Sequence, residues 1–183
     1  MRTSGESAHG ASRRLFFALW PSSDVRRRIV ENTRDVVAQA GGRIIPADNL
    51  HVTLEFLGSV AAERIGNVLR AGDAIAAETF TFTLDRIECW RRSEVLVLSA
   101  GVVPTLLQSL VDQLRISLLQ QEFNLTDELH RPHVTLLRRL PAHYRRVDEI
   151  DPLEWRVVDF VLVDSVTAQE GSRYSIVQRW PLA

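Results

Sequence analysis

A chain of 183 residues, 45% hydrophobic and 25% charged, has the size and composition of one globular domain that buries its core without staples. No apolar run approaches the roughly 20 residues that span a bilayer, and a formal net charge of −1 leaves no global field for a long polyanion, although a local patch can still grip one phosphate. One cysteine, Cys89, excludes an intrachain disulfide and a cysteine-based metal cluster; all 22 basic residues are arginine, so no lysine is present as nucleophile, Schiff base or P-loop ligand.

The first 14 residues lack the apolar segment of a secretory signal. A cytoplasmic protein is therefore expected, with a loose tail at 1–13 ahead of one two-lobed domain at 14–183. Leu15 to Trp20, ended by Pro21, reads as a buried strand. Ser22 or Ser23 can cap the next helix, whose apolar positions Val25, Ile29, Val36, Val37 and Ala40 recur at helical spacing until Gly41-Gly42 stops it. RIIP predicts a short strand, and Val52 to Leu57 another, closed by Gly58. Ala61 to Ala77 has helical spacing in Ile65, Val68, Leu69 and Ile75, with Ser59 as its cap. From Phe80 the period drops to two: Phe80, Phe82 and Leu84 alternate with threonines, and EVLVLSA follows as the antiparallel partner. Cys89, beside this pair, is expected to be merely packed. Leu107, Leu110, Val111, Leu114 and Leu118 mark a third helix with Pro104 at its start. Trp155 to Val166 and Tyr174 to Trp180 are predicted as closing strands separated by the turn QEGSR.

The tetrapeptide HVTL occurs twice, at His51 and at His133, in a chain with five histidines. On this composition a second copy after any of the other four histidines is expected about 0.003 times, so the repeat has a cause. Two similar half-structures forming one molecule is the economical one. On a strand, His and Thr at i and i+2 project from one face while Val and Leu point to the other, so His51 shares a surface with Thr53 and His133 with Thr135. Facing each other, the two surfaces put two imidazoles and two hydroxyls across one cleft. An imidazole titrates near neutrality, so one ring can take a proton while the other gives one. In-line displacement at phosphorus needs base and acid on opposite sides, and threonine hydroxyls can donate to the non-bridging oxygens. Such a scheme needs no metal. The structural alternative is a duplicated fold held by His–Thr hydrogen bonds.

At RLFFALWP, NLHVTLEFLG, RPHVTLLRR and YSIVQRWPL the chain resembles the two-histidine phosphoesterases, and within them the bacterial RNA 2′,3′-cyclic phosphodiesterases, also called 2′-5′ RNA ligases or LigT-like proteins. The likeness spans all but about the first dozen residues. It implies an α+β fold, bilobal and pseudo-symmetric, with two antiparallel sheets backed by helices around a central cleft. It implies metal-independent hydrolysis of RNA 2′,3′-cyclic phosphate ends to 2′-phosphomonoesters, and for some members the reverse joining of ends as 2′-5′ linkages. By this analogy His51 is the general acid on the leaving 3′ oxygen and His133 the general base; sequence symmetry alone does not make that assignment.

Thr53, Thr135 and Arg138 are the expected phosphate-binding residues. Arg138 matches a family position, and its fork suits the task. Strict alternation puts it opposite His133, so it reaches the cleft only if the strand bulges or ends near Leu137. Phe56 has the same offset after His51 and can stack on a base or pack in the core. His130 is expected at the cleft rim rather than in a metal pair with His133, because Pro132 forbids a helix through HRPH. The runs at Arg26–Arg28, Arg91-Arg92 and Arg145-Arg146 read as solvated faces, unless one beside the cleft tracks an RNA backbone. His9 and His143 carry no expected role. No cofactor, metal or membrane partner is expected; the partner is an RNA end or nucleotide carrying a 2′,3′-cyclic phosphate, met by a monomer. Two alternatives stay open: another cyclic nucleotide or ADP-ribose cyclic phosphate as substrate, or a non-catalytic RNA- or nucleotide-binding module.

Overall fold

The computed structural model describes residues 12–126, 130–144, 148–168 and 171–183. Most of the expected tail with His9, the Arg145-Arg146 run, and Gln169 and Glu170 of the expected turn lie outside the described residues. The chain opens with β1 (Arg13–Leu19), α1 (Ser23–Ala40), β2 (Arg43–Ile44) and β3 (Val52–Val60). It continues through α2 (Ile65–Asp73), β4 (Phe80–Trp90), β5 (Val95–Ser99), α3 (Thr105–Gln120) and β6 (His133–Arg138). It closes with β7 (Asp148–Val157), β8 (Asp159–Ala168) and β9 (Gly171–Pro181).

The helices form where apolar residues repeat. In α1 the buried residues are Val25, Ile29, Thr33, Val36 and Ala40; Thr33 is tolerated because its hydroxyl donates to the Ile29 carbonyl at 2.7 Å. The Val25 N–H donates to the Ser22 side chain at the N-cap, and Gly41 takes φ +70° at the other end. In α3 all five expected leucine and valine positions are fully buried.

The second helix departs from its expected span. β3 runs through Gly58 and Ser59 to Val60, so Ser59 is no cap; a 3₁₀ turn, Ala62–Arg64, precedes α2, which ends at Asp73. Gly58 extends the strand because it sits where β3 carries one residue more than β1, at φ +67°. α2 ends beside Gly72, whose lack of a side chain admits the Trp180 ring, and the Trp180 indole N–H donates to Asp73 at 2.7 Å. The expected strand Trp155 to Val166 is two strands, and β7 extends back to Asp148. Pro152 hides β7 from a sequence reading. It is accommodated because β7 is an edge strand paired only to β4, with a register shift between Glu149 and Leu153.

All strand pairs are antiparallel, in the order β7-β4-β5-β6-β3-β1-β8-β9, with β2 added beside β6. The expected two sheets are the halves of this path. Among the described residues a single ladder pair, Val52 with Val134, joins them. In each half the histidine strand lies beside a strand that precedes a helix: β1 leads through α1 toward β3, and β5 through α3 to β6. The helices cross the divide, α1 packing on β7 and α3 on β3. One face of β1, Leu15, Phe17 and Leu19, joins the core shared with the helices; Phe16 and Ala18 pack with Val161 and Val163 on the other. Cys89 packs at the edge of the main core.

Candidate active site

The seam pair aligns the two repeats. Val52 and Val134 are fully buried, Leu54 and Leu136 nearly so, while His51, Thr53, His133 and Thr135 are half-buried and line one cleft of about 960 Å³. Val and Leu enter the core, and this fixes the polar pair on the cleft side. Antiparallel register about Val52 and Val134 sets His51 across from Thr135 and Thr53 across from His133.

Strict alternation then breaks in the same place in both strands. Between Phe17 and Ala18 of β1 the partner advances from Glu55 to Thr53, leaving Leu54 as an extra residue; between Leu96 and Val97 of β5 it moves from Leu137 to Thr135, leaving Leu136 extra. Each bulge falls on the Leu of HVTL. Two successive inward residues follow from it, Leu54 with Glu55 and Leu136 with Leu137. The next residues, Phe56 and Arg138, are thereby returned to the face of the histidines, and both line the cleft. The bulge needed to bring Arg138 into the cleft is present. Phe56 is 58% exposed, so it is not a core residue.

Both imidazoles are held in one way. His51 Nδ1 lies 2.7 Å from the Asn49 carbonyl and His133 Nδ1 2.7 Å from the Arg131 carbonyl. A carbonyl only accepts, so each Nδ1 carries the proton and donates. Each Nε2 is left with a lone pair that can take a proton and, once protonated, give it back. Neither Thr53 nor Thr135 spends its hydroxyl on another described residue.

The environments of the two rings differ. His51 is caged by Phe16, by Trp20 stacked at 5.4 Å and 9°, and by Tyr174 edge-on at 5.3 Å. Burial pushes its pKa down to about 4, with the charges of His133 and Arg138 acting in the same direction and the Asn49 carbonyl opposing. His133 leans on Trp90 at 4.3 Å; burial lowers its pKa also, aided by the charges of His130, Arg131 and Arg138. Trp90 is fixed in turn, since its indole N–H donates to Glu88 at 2.9 Å and the Arg131 guanidinium sits 4.3 Å above its ring. The cleft thus favours two neutral imidazoles, a bias that an anion beside the rings would oppose.

His130, expected at the cleft rim, is not among the residues lining the cleft; its Nε2–H donates instead to the Thr53 carbonyl at 2.9 Å, tying the approach to β6 onto β3. Trp20, Trp90 and Tyr174 were not singled out. No local pattern marks them, because they come from three distant segments and converge only on folding. No group of three His, Cys, Asp or Glu side chains that could hold a metal ion occurs among the described residues, and no described helix is long and apolar enough to cross a membrane.

Residues 19–97 match the family model described as LigT like Phosphoesterase. An RNA 2′,3′-cyclic phosphodiesterase of Escherichia coli (strain K12) is 32% identical over 169 residues, covering 92% of this chain and 96% of that protein. This chain belongs to the LigT-like phosphoesterase family. A Thermus thermophilus protein also named RNA 2′,3′-cyclic phosphodiesterase is similar to this LigT-like phosphoesterase, 26% identical over 189 residues, with 92% of this chain and 90% of that one covered. The crystal structure of E. coli LigT complexed with 3′-AMP superposes with a TM-score of 0.86 and 31% identity over 94% of this chain and 99% of that one. The α+β architecture of this LigT-like phosphoesterase is therefore that of solved relatives.

Proposed function

We propose that this LigT-like phosphoesterase hydrolyses the 2′,3′-cyclic phosphate at RNA ends to a 2′-phosphomonoester by acid–base catalysis without a metal. The observation that carries the reading is the pair of imidazoles in one cleft, each with Nδ1 tied to the carbonyl two residues before it and Nε2 uncommitted. In the forward reaction His133 Nε2 takes a proton from water as its oxygen bonds to phosphorus. The bond from phosphorus to the 3′ oxygen breaks, and His51 Nε2 gives that oxygen its proton. Thr53, Thr135 and Arg138 donate to the non-bridging oxygens, where charge collects. The aromatic side chains beside His51, with Phe56 exposed near them, support the assignment of roles: a base resting there brings its ribose, and with it the leaving oxygen, to the His51 side. The anionic phosphate offsets what disfavours the protonated imidazole, burial first and then the charges of the partner ring and Arg138. With a 5′-hydroxyl in place of water, His133 takes that hydroxyl's proton as its oxygen bonds to phosphorus, the bond to the 3′ oxygen breaks and His51 protonates it, so the two ends are joined as a 2′-5′ linkage. A monomer acting in the cytoplasm completes the proposal.

The test is turnover of an oligoribonucleotide with a 2′,3′-cyclic phosphate end, in excess chelator, with the product identified by phosphorus NMR. A 2′-phosphomonoester is the expected product, formed faster than from ADP-ribose cyclic phosphate. Loss of activity in chelator, or preference for the ADP-ribose compound, would overturn the proposal. A substrate with sulfur at the 3′ position separates the two histidines, because a thiolate leaves without a proton: it should restore His51→Ala and not His133→Ala.

A further inference from the structure

The two bulges bring unlike residues to equivalent places, Phe56 in one half and Arg138 in the other. Around Arg138 the charge is concentrated. Arg43 of β2 is its register partner, and Arg92 lies in the turn just before Val95, its partner on β5. All three arginines line the cleft, and none of their side chains makes an ion pair or hydrogen bond with a described residue. Other arginines are neutralised by a carboxylate, as in Arg13 with Asp164, Arg26 with Asp48 and Arg179 with Asp159, whereas Arg14, on the cleft wall with Arg43, Arg92 and Arg138, also has no ion pair among the described residues. No Asp or Glu lines the cleft among the described residues.

Like charges directly across an antiparallel pair are destabilising, yet the fold builds this pair with care. β2 is two exposed residues long and adds little to the core. Gly42, at φ +93°, lets the chain lie against β6 so closely that a Cβ there would stand 2.8 Å from the Arg138 carbonyl. The Ile45 N–H then donates to the Leu136 carbonyl at 2.9 Å. The result is a cationic pair awaiting an anion.

That anion is not the scissile phosphate alone. His133 opens β6 across from Ser99 and Arg138 closes it across from Val95, so Arg43 on β2 and Arg92 in the turn before β5 flank the end of β6 remote from His133. Guanidinium forks at that position suit a phosphodiester. We infer that Arg43 and Arg92 form, with Arg138, a subsite for the phosphodiester on the 5′ side of the terminal nucleotide, and that they select RNA ends over cyclic mononucleotides. The inference rests on the function proposed above. It gives the solvated reading of the Arg91-Arg92 run a specific exception at Arg92.

The experiment compares adenosine 2′,3′-cyclic phosphate, which has no second phosphate, with the dinucleotide ApA ending in the same group. The wild type is expected to prefer the dinucleotide in kcat/KM by about tenfold or more, from one charge-assisted contact set. The variant Arg43→Gln/Arg92→Gln, checked for an unchanged Tm, should lose that preference through KM while keeping kcat/KM on the mononucleotide within about twofold. Its log kcat/KM on the dinucleotide should fall less steeply with log salt, by about 0.7 for each contact removed. Equal losses on both substrates, or no loss on the dinucleotide, would overturn the subsite. A parallel binding titration uses ApA with a terminal 2′-phosphate against adenosine 2′-phosphate. If the wild type turns over neither cyclic substrate, the hydrolase reading fails, and this titration still decides the subsite: the variant must lose affinity for the dinucleotide alone.

Discussion

Val52 and Val134, the second residues of the two HVTL repeats, are antiparallel partners, and both are completely buried. Among the described residues they are the one ladder pair joining the two halves of the sheet, so the separation of the two imidazoles depends on their packing. Val134→Ala is expected to lower stability by about 2 kcal/mol, from lost burial and an unfilled cavity. Because the shift moves His133 relative to His51, kcat should fall further than KM rises. Urea denaturation and steady-state kinetics on one preparation check both parts; an unchanged kcat with lowered stability would separate seam from site.

In the proposed mechanism each imidazole carries one proton transfer. His51→Ala and His133→Ala should each reduce kcat by about 10² to 10⁴-fold. Affinity for a 2′-phosphorylated nucleotide should be largely spared, since Thr53, Thr135 and Arg138 remain. Isothermal titration beside kinetics tests the split; full activity in both variants would remove the catalytic assignment.

The pKa of His51 is lowered to about 4 from its ordinary 6.5 by burial first, and His130 and His133 are lowered in the same direction. Between about 4 and 6.5 the unfolded chain binds protons that the folded chain refuses. Stability is thus fully present above pH 6.5 and is lost as pH falls toward 4. His51→Gln should show a shallower fall in Tm between pH 7 and pH 4.5 than the wild type. A bound nucleotide phosphate, which favours the charged ring, should also flatten it.

Glu55 is buried beside Leu54 and pairs with Arg115 of α3, which also donates to the Thr126 carbonyl at 2.6 Å. Burial raises the Glu55 pKa, and Arg115 works against that rise. Arg115→Ala leaves a carboxylate without its counter-ion and should cost about 3 kcal/mol. A raised carboxyl pKa makes stability decline as pH rises past 4.5, so the penalty should be smaller at pH 5 than at pH 8. Denaturation at the two pH values measures it.

Phe56 is more exposed than buried, so Phe56→Ala should leave stability within about 1 kcal/mol. If a base rests on it, affinity for a nucleotide should drop by about 1–3 kcal/mol, roughly 5- to 150-fold. Equal affinity in variant and wild type would assign the ring to surface packing.

Much of this protein is legible in one dimension. The positions of α1 and α3 follow from apolar spacing, and HVTL with its duplicate points to the two imidazoles that share the cleft, because a period of two on a strand sends His and Thr to one face whatever the surrounding fold. Local pattern failed where the deciding contact was remote. Pro152 concealed β7, whose edge position excuses it, and α2 starts late because β3 runs on through Gly58 and Ser59 to Val60 and a 3₁₀ turn follows it. The bulges at Leu54 and Leu136 came from the match to β1 and β5, so tertiary structure alone decided that Phe56 and Arg138 reach the cleft. It also decided the cage around His51 and the closeness of Arg43 to Arg138, since burial and charge act through space and residues distant in the chain supply them.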